Sequence, residues 1–385
     1  MTMKYINKTS GVFKSGLRKA FLCGAALLLL PFSGWTEIKV KLGGRLFMDG
    51  GVYQSAPDIY SHRVGITDLR FTGKFYWDDG WYTKLDVGFA KNKVRLKDAF
   101  LQKTTGKNMF RVGYMIGLFG LDDSASTNDY IFLTGANIAE TLYTDRRVGV
   151  SYTRFDTDYY VSFGLFCGDE LEYDDKVQPG MNGTARFVFR PINKEGRVLH
   201  LGTGLLVKSP NTVKETNSRP LTLYSRNVSY LTVPYMYEVS FEDVKNQCLL
   251  SFEAVTLMDR FFFQTEYMHS VIKQRQASTV NTYGAYCEGG FLIKGSKFGY
   301  DQPDAVPLAP PDPHSLLISA RFNWMNLNGN NQDGGREYDV TLGLNYNLNS
   351  HIILKMNYAY IWNHRFSVEE KEKWGLLQGR VQVFF

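Results

Sequence analysis

From residue 37 to the C-terminus the hydrophobic pattern has a period of two, broken at short intervals by Gly, Asn and Asp. That period belongs to strands, whose side chains alternate between two faces. In WYTKLDVGFA, residues 81–90, Trp81, Thr83, Leu85, Val87 and Phe89 share one face, and Tyr82, Lys84, Asp86 and Gly88 the other. Further on, Ile352, Leu354, Met356, Tyr358, Tyr360 and Trp362 lie together against Lys355 and Asn357. The last run sets Leu377, Gly379, Val381, Val383 and Phe385 opposite Gln378, Arg380, Gln382 and Phe384. Apolar faces ending in aromatics are what a lipid-facing surface with interface girdles requires.

Seventeen such runs start near residues 43, 64, 81, 93, 108, 146, 158, 182, 197, 230, 247, 260, 281, 315, 336, 350 and 373. The run at 230 contains Pro234, which a barrel ladder does not tolerate, and alternates poorly. Omitting it leaves the even number expected of a single-chain bacterial barrel, here sixteen. Parity then sorts the connections. Short turns at 78–80, 104–107, 156–157, 192–196, 258–259 and 349–350 fall on one side, and the long segments 117–145, 168–181 and 209–246 on the other. This is the asymmetry of periplasmic turns and extracellular loops. The Pro-rich stretch 295–314 is too long for its short-turn side and is expected to be a structured turn. The predicted fold is an all-β, transmembrane antiparallel barrel in one domain, residues 37–385. A soluble β-sandwich or β-helix competes, but leaves the aromatic faces and the terminal Phe385 unexplained.

Residues 1–36 carry Lys4, Lys8, Lys14, Arg18 and Lys19, no acid, and the apolar run AFLCGAALLLL. These are the regions of a secretory signal peptide, with cleavage expected before Glu37. Cys23 lies inside the apolar run rather than at its end, so a lipoprotein signal is rejected. Of 44 basic and 38 acidic residues in 385, subtracting the five leader cations leaves 39 against 38. A generally basic, polyanion-binding body is excluded, and nucleic acid is not an expected partner. Past residue 36 no 18-residue apolar run exists, which excludes a helical membrane protein.

If the apolar face meets lipid, the other face lines the lumen. The inward basic candidates are Arg70, Lys74, Lys84, Arg95, Lys97, Arg111, Arg147, Arg186, Arg321, Lys355 and Arg380. The inward acids are Asp68, Asp86, Glu253, Glu266, Glu288 and Asp339, mostly on the later strands. The wall is therefore expected to be polarised. Alternation places Asp98 on the lipid face with Val94, Leu96 and Phe100, an implausible site for a carboxylate. Loop 117–145 holds Asp122, Asp123, Asp129, Glu140 and Asp145, no Lys or Arg, and is followed by Arg146 and Arg147. Folded inward, it would set carboxylates across from a basic wall; on that reading Arg147→Glu shifts the reversal potential toward cations. Loop 168–181, with Asp169, Glu170, Glu172, Asp174 and Asp175, lacks calcium-loop spacing and reads as solvated.

Catalysis finds no support. The six histidines are scattered without HExxH, GxSxG or a Gly-rich phosphate loop. Cys167, Cys248 and Cys287 sit at apolar positions without CxxC spacing, so neither a disulfide framework, a metal site nor a cofactor is expected.

RVGITDLRFTGKFYWDDGWYTKLDVGFA, VRLKDAFL, RVGYMIGLFGLDDSASTNDYIFL, RRVGVSY and DVTLGLNYNLNSHIILKMNYAY together resemble the phosphate-selective porins O and P, in order from about Gly44 to Phe385. The resemblance implies a sixteen-stranded outer-membrane porin, usually trimeric, with the third loop folded inward. The family's inward cations map onto Arg70, Lys74, Arg95, Lys97 and Arg147. Members often carry a basic residue and a Pro ahead of the loop-three Phe-Gly-Leu; here Met115-Ile116-Gly117-Leu118 precede Phe119-Gly120-Leu121. The combined expectation is a passive channel for small hydrophilic solutes, weakly to moderately anion-preferring. A phosphate- or polyphosphate-selective channel and a closed adhesive barrel are the alternatives. Expected partners are outer-membrane lipid and lipopolysaccharide, two further copies, the barrel assembly machinery through Phe385, and small anionic or neutral solutes.

Overall fold

The computed structural model describes residues 38–56, 59–90, 93–142, 145–168, 175–226, 228–231, 237–329, 333–364 and 372–385. Residues 1–36, where a signal peptide is expected, and Asp169, Glu170, Glu172 and Asp174 lie outside them.

Sixteen strands close into one antiparallel barrel. The first eight are β1 (Lys39–Ala56), β2 (Ile59–Tyr76), β3 (Trp81–Gly88), β4 (Arg95–Thr105), β5 (Asn108–Ile116), β6 (Arg146–Phe155), β7 (Tyr159–Cys167) and β8 (Met181–Lys194). The rest are β9 (Arg197–Lys208), β10 (Val244–Met258), β11 (Phe261–Gln274), β12 (Val280–Lys294), β13 (Leu316–Asn326), β14 (Arg336–Asn347), β15 (Ile352–His364) and β16 (Glu372–Phe384). Each pairs with its chain neighbour, and β1 pairs with β16 from Arg45↔Phe384 to Gln54↔Gly375. Phe385 completes the seam: its carbonyl accepts from Gly44 N–H at 2.7 Å and its N–H donates back at 3.1 Å. Closure leaves no edge, so every ladder group in the apolar layer finds a partner.

Alternation sorts the side chains as the pattern demands. Leu42, Val64, Phe71, Val112, Phe163, Leu165, Leu342 and Leu377 are exposed on the outer face. Asp49, Arg186, Glu266, Thr341 and Gln382 are buried on the inner one. Asp79 and Gly80 take positive φ (61° and 75°) in the β2–β3 turn, the backbone a two-strand reversal of this length needs. The omitted run near 230 contributes no barrel strand. Its loop instead carries a small hairpin of Leu221–Ser225 with Tyr237–Phe241.

Three connections enter the barrel. The β5–β6 loop, with helices α1 (Leu121–Ser124) and α2 (Asn137–Leu142), is buried along most of its length. From the same side the β9–β10 loop brings in Val228–Leu231: Val228 N–H donates to Asn137 Oδ1 at 3.1 Å, and its carbonyl accepts from Gln378 at 2.6 Å. From the opposite, short-turn side the β12–β13 connection inserts a hairpin of Gly299–Asp301 with Val306–Leu308. Asp129 of the first insertion accepts from Ala309 N–H of the third at 3.2 Å.

These insertions create an interior core. Phe119, Ile138 and Leu142 pack with Leu206, Leu249 and Met268, while Leu121 and Phe132 pack with Val255, Phe262 and Phe298. Fully burying such a side chain stabilises by about 1.5–3 kcal/mol. This is why β9–β12 carry apolar residues on their inner face as well as their outer one. Gly120 makes the entry of α1 possible. Its φ is +52°, and a Cβ there would stand 2.6 Å from Glu266 Oε1.

Candidate functional site

The inward side chains of β7–β16 are nearly all buried, by one another and by the insertions. Several of those of β2–β6, including Arg70, Thr72, Lys74, Lys84, Gln102 and Arg111, keep partial exposure, though Asp86, Asp98, Phe100 and Arg147 are buried. The solvent-accessible lumen therefore follows one arc of the wall.

That arc is built from rows of like charge. Lys41 faces Lys74 and Lys74 faces Lys84 as directly paired residues of β1, β2 and β3; Arg45 faces Arg70. Like charges opposite one another on adjacent strands are destabilising. Three carboxylates temper the rows. Asp68 accepts from Arg45 at 2.5 Å and from Arg70 at 2.9 Å. Asp86 accepts from Thr72 at 3.0 Å and from Arg70 at 3.5 Å. Asp98 accepts from Lys84 at 2.6 Å and Arg146 at 2.8 Å. Lys74 and Lys97 have no hydrogen-bond or ion-pair partner among the described residues. Lys97 sits amid the charges of Arg70, Arg146 and Arg95, with Asp68 opposing them. Arg95 is exposed at the start of β4, opposite Gly88.

Asp98 corrects the alternation reading. The β3–β4 register runs Asp86↔Asp98 and then Val87↔Leu96, so Lys97 is an extra residue in a β-bulge. The bulge brings Lys97 alongside inward Gly88, whose added Cβ would lie 3.2 Å from Lys97 Cε. It also turns Asp98 and Phe100 into the lumen rather than to lipid, and both are buried there.

The other basic candidates are engaged, by insertions or by groups beside them. Arg186 donates to Glu253 at 2.9 Å and to the carbonyls of Asp304 and Ala305 at 3.0 and 2.9 Å. Arg321 donates to the Thr134 carbonyl at 2.9 Å, and Lys355 to that of Tyr130 at 2.5 Å. Arg380 chelates Asp49 with two bonds of 2.7 Å. Arg147 is 3% exposed and donates to the Gly180 carbonyl at 3.2 Å. Arg111 both borders the lumen and reaches an insertion, at Asp304, 3.2 Å away.

The acidic half of the wall is covered. Glu266 accepts the N–H groups of Leu121 and Asp122 at 2.9 and 3.3 Å, the unpaired donors at the start of α1. Glu337 and Asp339 accept from Asn137, and Glu288 from Gln264 at 2.9 Å. Loop acids join them. Asp122 accepts from Ala136 N–H at 3.3 Å, and Glu140 from Gly135 N–H at 3.3 Å and the Tyr230 hydroxyl. Burial first, then the charges of Glu288 and Glu140, push the Asp122 carboxyl well above the ordinary carboxylate range. The charge of the loop acid Asp123 bears on Arg146.

The inserted hairpin on the short-turn side adds residues the sequence reading did not single out. Tyr300 lies 2.8 Å from His200 Nδ1, whose Nε2 is 3.0 Å from Glu253. Excess length between two strands on the short-turn side was its one signal.

A family model described as phosphate-selective porin O and P matches residues 40–385. An uncharacterised protein of Caulobacter vibrioides is 21% identical over 358 residues, covering 86% of this chain and 69% of that protein. Among solved structures, the anion-selective porin from Comamonas acidovorans superposes with a TM-score of 0.61 at 10% identity, over 91% of this chain and 100% of that one. OmpT of Vibrio cholerae, in its trimer form, gives 0.60 at 11% identity over 90% and 99%. At these identities the likeness is one of fold.

Proposed function

The chain belongs to the phosphate-selective porin O and P family and is a porin of the bacterial outer membrane; on that premise we propose that it conducts small anions passively along the β2–β6 arc. The observation that carries this reading is the division of charge. The carboxylates of β10–β14 are covered by the insertions, whereas the Lys41–Lys74–Lys84 row and the Arg70–Lys97 pair keep access to water. Cations lining a narrow aqueous passage lower the barrier for anions and raise it for cations. Arg70, Lys74, Lys84, Lys97 and Arg111 line the passage in this reading, with Arg95 at its rim. Arg321 and Lys355 brace the β5–β6 insertion beside it, while Arg147 and Arg380 are held within the wall. Asp123 narrows it from the loop side, while Asp122, Asp129 and Glu140 hold the loop's shape.

Cations are absent from the whole of 117–145, which argues for general anion preference over tight phosphate capture. No catalytic step is invoked. Residues 1–36 serve as a cleaved signal peptide. Phe385, exposed beside Phe71 at the seam, serves as the recognition end for barrel assembly. The mature barrel sits among lipopolysaccharide and lipid as a trimer, in keeping with the Vibrio cholerae relative in fold.

Single-channel recording of refolded protein under a tenfold KCl gradient tests this reading. The expected result is an anion-selective reversal potential with little block by phosphate. A reversal potential of zero or of cation sign would overturn it, and low-concentration phosphate block would replace it with the phosphate-selective alternative.

A further inference from the structure

Beside the lysine row the lumen carries a strip of rings. Tyr76 and Tyr82 are directly paired across β2 and β3, their ring centroids 5.0 Å apart and tilted by 33°. Phe100, turned inward by the bulge in β4, meets Tyr82 edge-on at 6.0 Å. All three point into the lumen, whereas an interface girdle would face lipid. The strip is bordered by cations at both ends: Lys41 Nζ is 5.7 Å from the Tyr76 ring centroid, and the Arg111 guanidinium 5.2 Å from that of Phe100. Along its side run Lys74 and Lys84, the next inward-facing pair along the same strands. Neither the Tyr76 nor the Tyr82 hydroxyl, nor the Lys74 ammonium, has a hydrogen-bond partner among the described residues.

An inorganic anion would use the cations and gain nothing from the rings. A sugar-like solute would use the rings and leave the cations idle. The pairing suits a solute that carries both an anionic group and a flat apolar ring. We propose that Tyr76, Tyr82 and Phe100, with Lys74 and Arg111, form a subsite near the short-turn mouth that selects aromatic carboxylates over aliphatic ones. The carboxylate is held by Lys74 or Arg111 while the ring lies against the tyrosines. The subsite rests on the reading of the β2–β6 arc as the anion path.

The test compares block of chloride current by benzoate, cyclohexanecarboxylate and acetate at neutral pH. Benzoate is expected to block at about three- to tenfold lower concentration than cyclohexanecarboxylate, the gain typical of an aromatic pair beyond its buried area. Tyr82→Leu keeps apolar bulk against Met115 and Phe166 but lacks the ring, so it should erase that ratio while preserving chloride selectivity. Lys74→Gln should weaken block by all three. Equal block by benzoate and cyclohexanecarboxylate overturns the subsite, and so does an unchanged ratio in folded, conducting Tyr82→Leu and Tyr76→Leu channels. Absence of chloride conductance in the wild type would instead remove the channel reading beneath it.

Discussion

At the scale of single residues, the same chemical group does opposite work depending on what it reaches. Lys74 is flanked by Lys41 and Lys84 and faces water, whereas Arg147 is buried against a backbone carbonyl. Lys74→Glu exchanges one unit charge for its opposite in an aqueous passage, an effect of about 1–2 kcal/mol on a passing ion. The anion-to-cation permeability ratio should fall roughly five- to thirtyfold. Arg147→Glu should instead reduce the folded, heat-modifiable fraction, because reversing a buried charge costs about 3–5 kcal/mol. The channels that do form should keep their reversal potential. A selectivity change in Arg147→Glu equal to that of Lys74→Glu would show that burial does not separate them. Asp122 gives a pH signature. Its carboxyl is pushed up, so the folded loop favours the protonated form. The associated stability is complete below the ordinary Asp range and is lost as pH rises through the raised value. The urea midpoint of the wild type should therefore drop with rising pH relative to that of Asp122→Asn. Parallel curves for the two proteins would contradict the assignment.

Among elements, the strands were legible and the departures from them were not. Period-two alternation located the starts of all sixteen barrel strands to within a few residues, because one apolar and one polar face leave a single register. The bulge in β4 escaped because one extra residue looks locally like continued alternation. Only the misplaced carboxylate of Asp98 betrayed it. Deleting Lys97 should restore an unbroken ladder, leaving Asp98 inward and the barrel assembled. Anion selectivity should fall because one lumen cation is gone; loss of the folded band would mean that the bulge itself is needed to close the sheet. The candidate site was legible in its first half, where Arg70, Lys74 and Lys84 follow alternation into open lumen. It was not legible where insertions intervene. Inwardness is a property of the strand, but exposure of Arg321 and Lys355 depends on a loop that meets them from more than 180 residues away in sequence.

At the scale of the whole molecule, the insertions decide what charge the lumen presents. Replacing 296–313 by a short turn would uncover His200, Glu253 and Arg186, and free Arg111 from Asp304. Conductance should rise and anion selectivity fall, since a wider passage screens its walls more effectively. Unchanged conductance would mean that the hairpin does not narrow the path. With the interior filled along β7–β16, ten of the sixteen strands are removed from the route of the solute. A barrel of this kind divides its labour by arc. Substitutions on the filled arc, and of buried groups such as Arg147, are answered by packing and assembly, and those of water-facing groups on the open arc by transport. Solute preference can then drift through a few side chains of five adjacent strands while the scaffold behind them stays as it is.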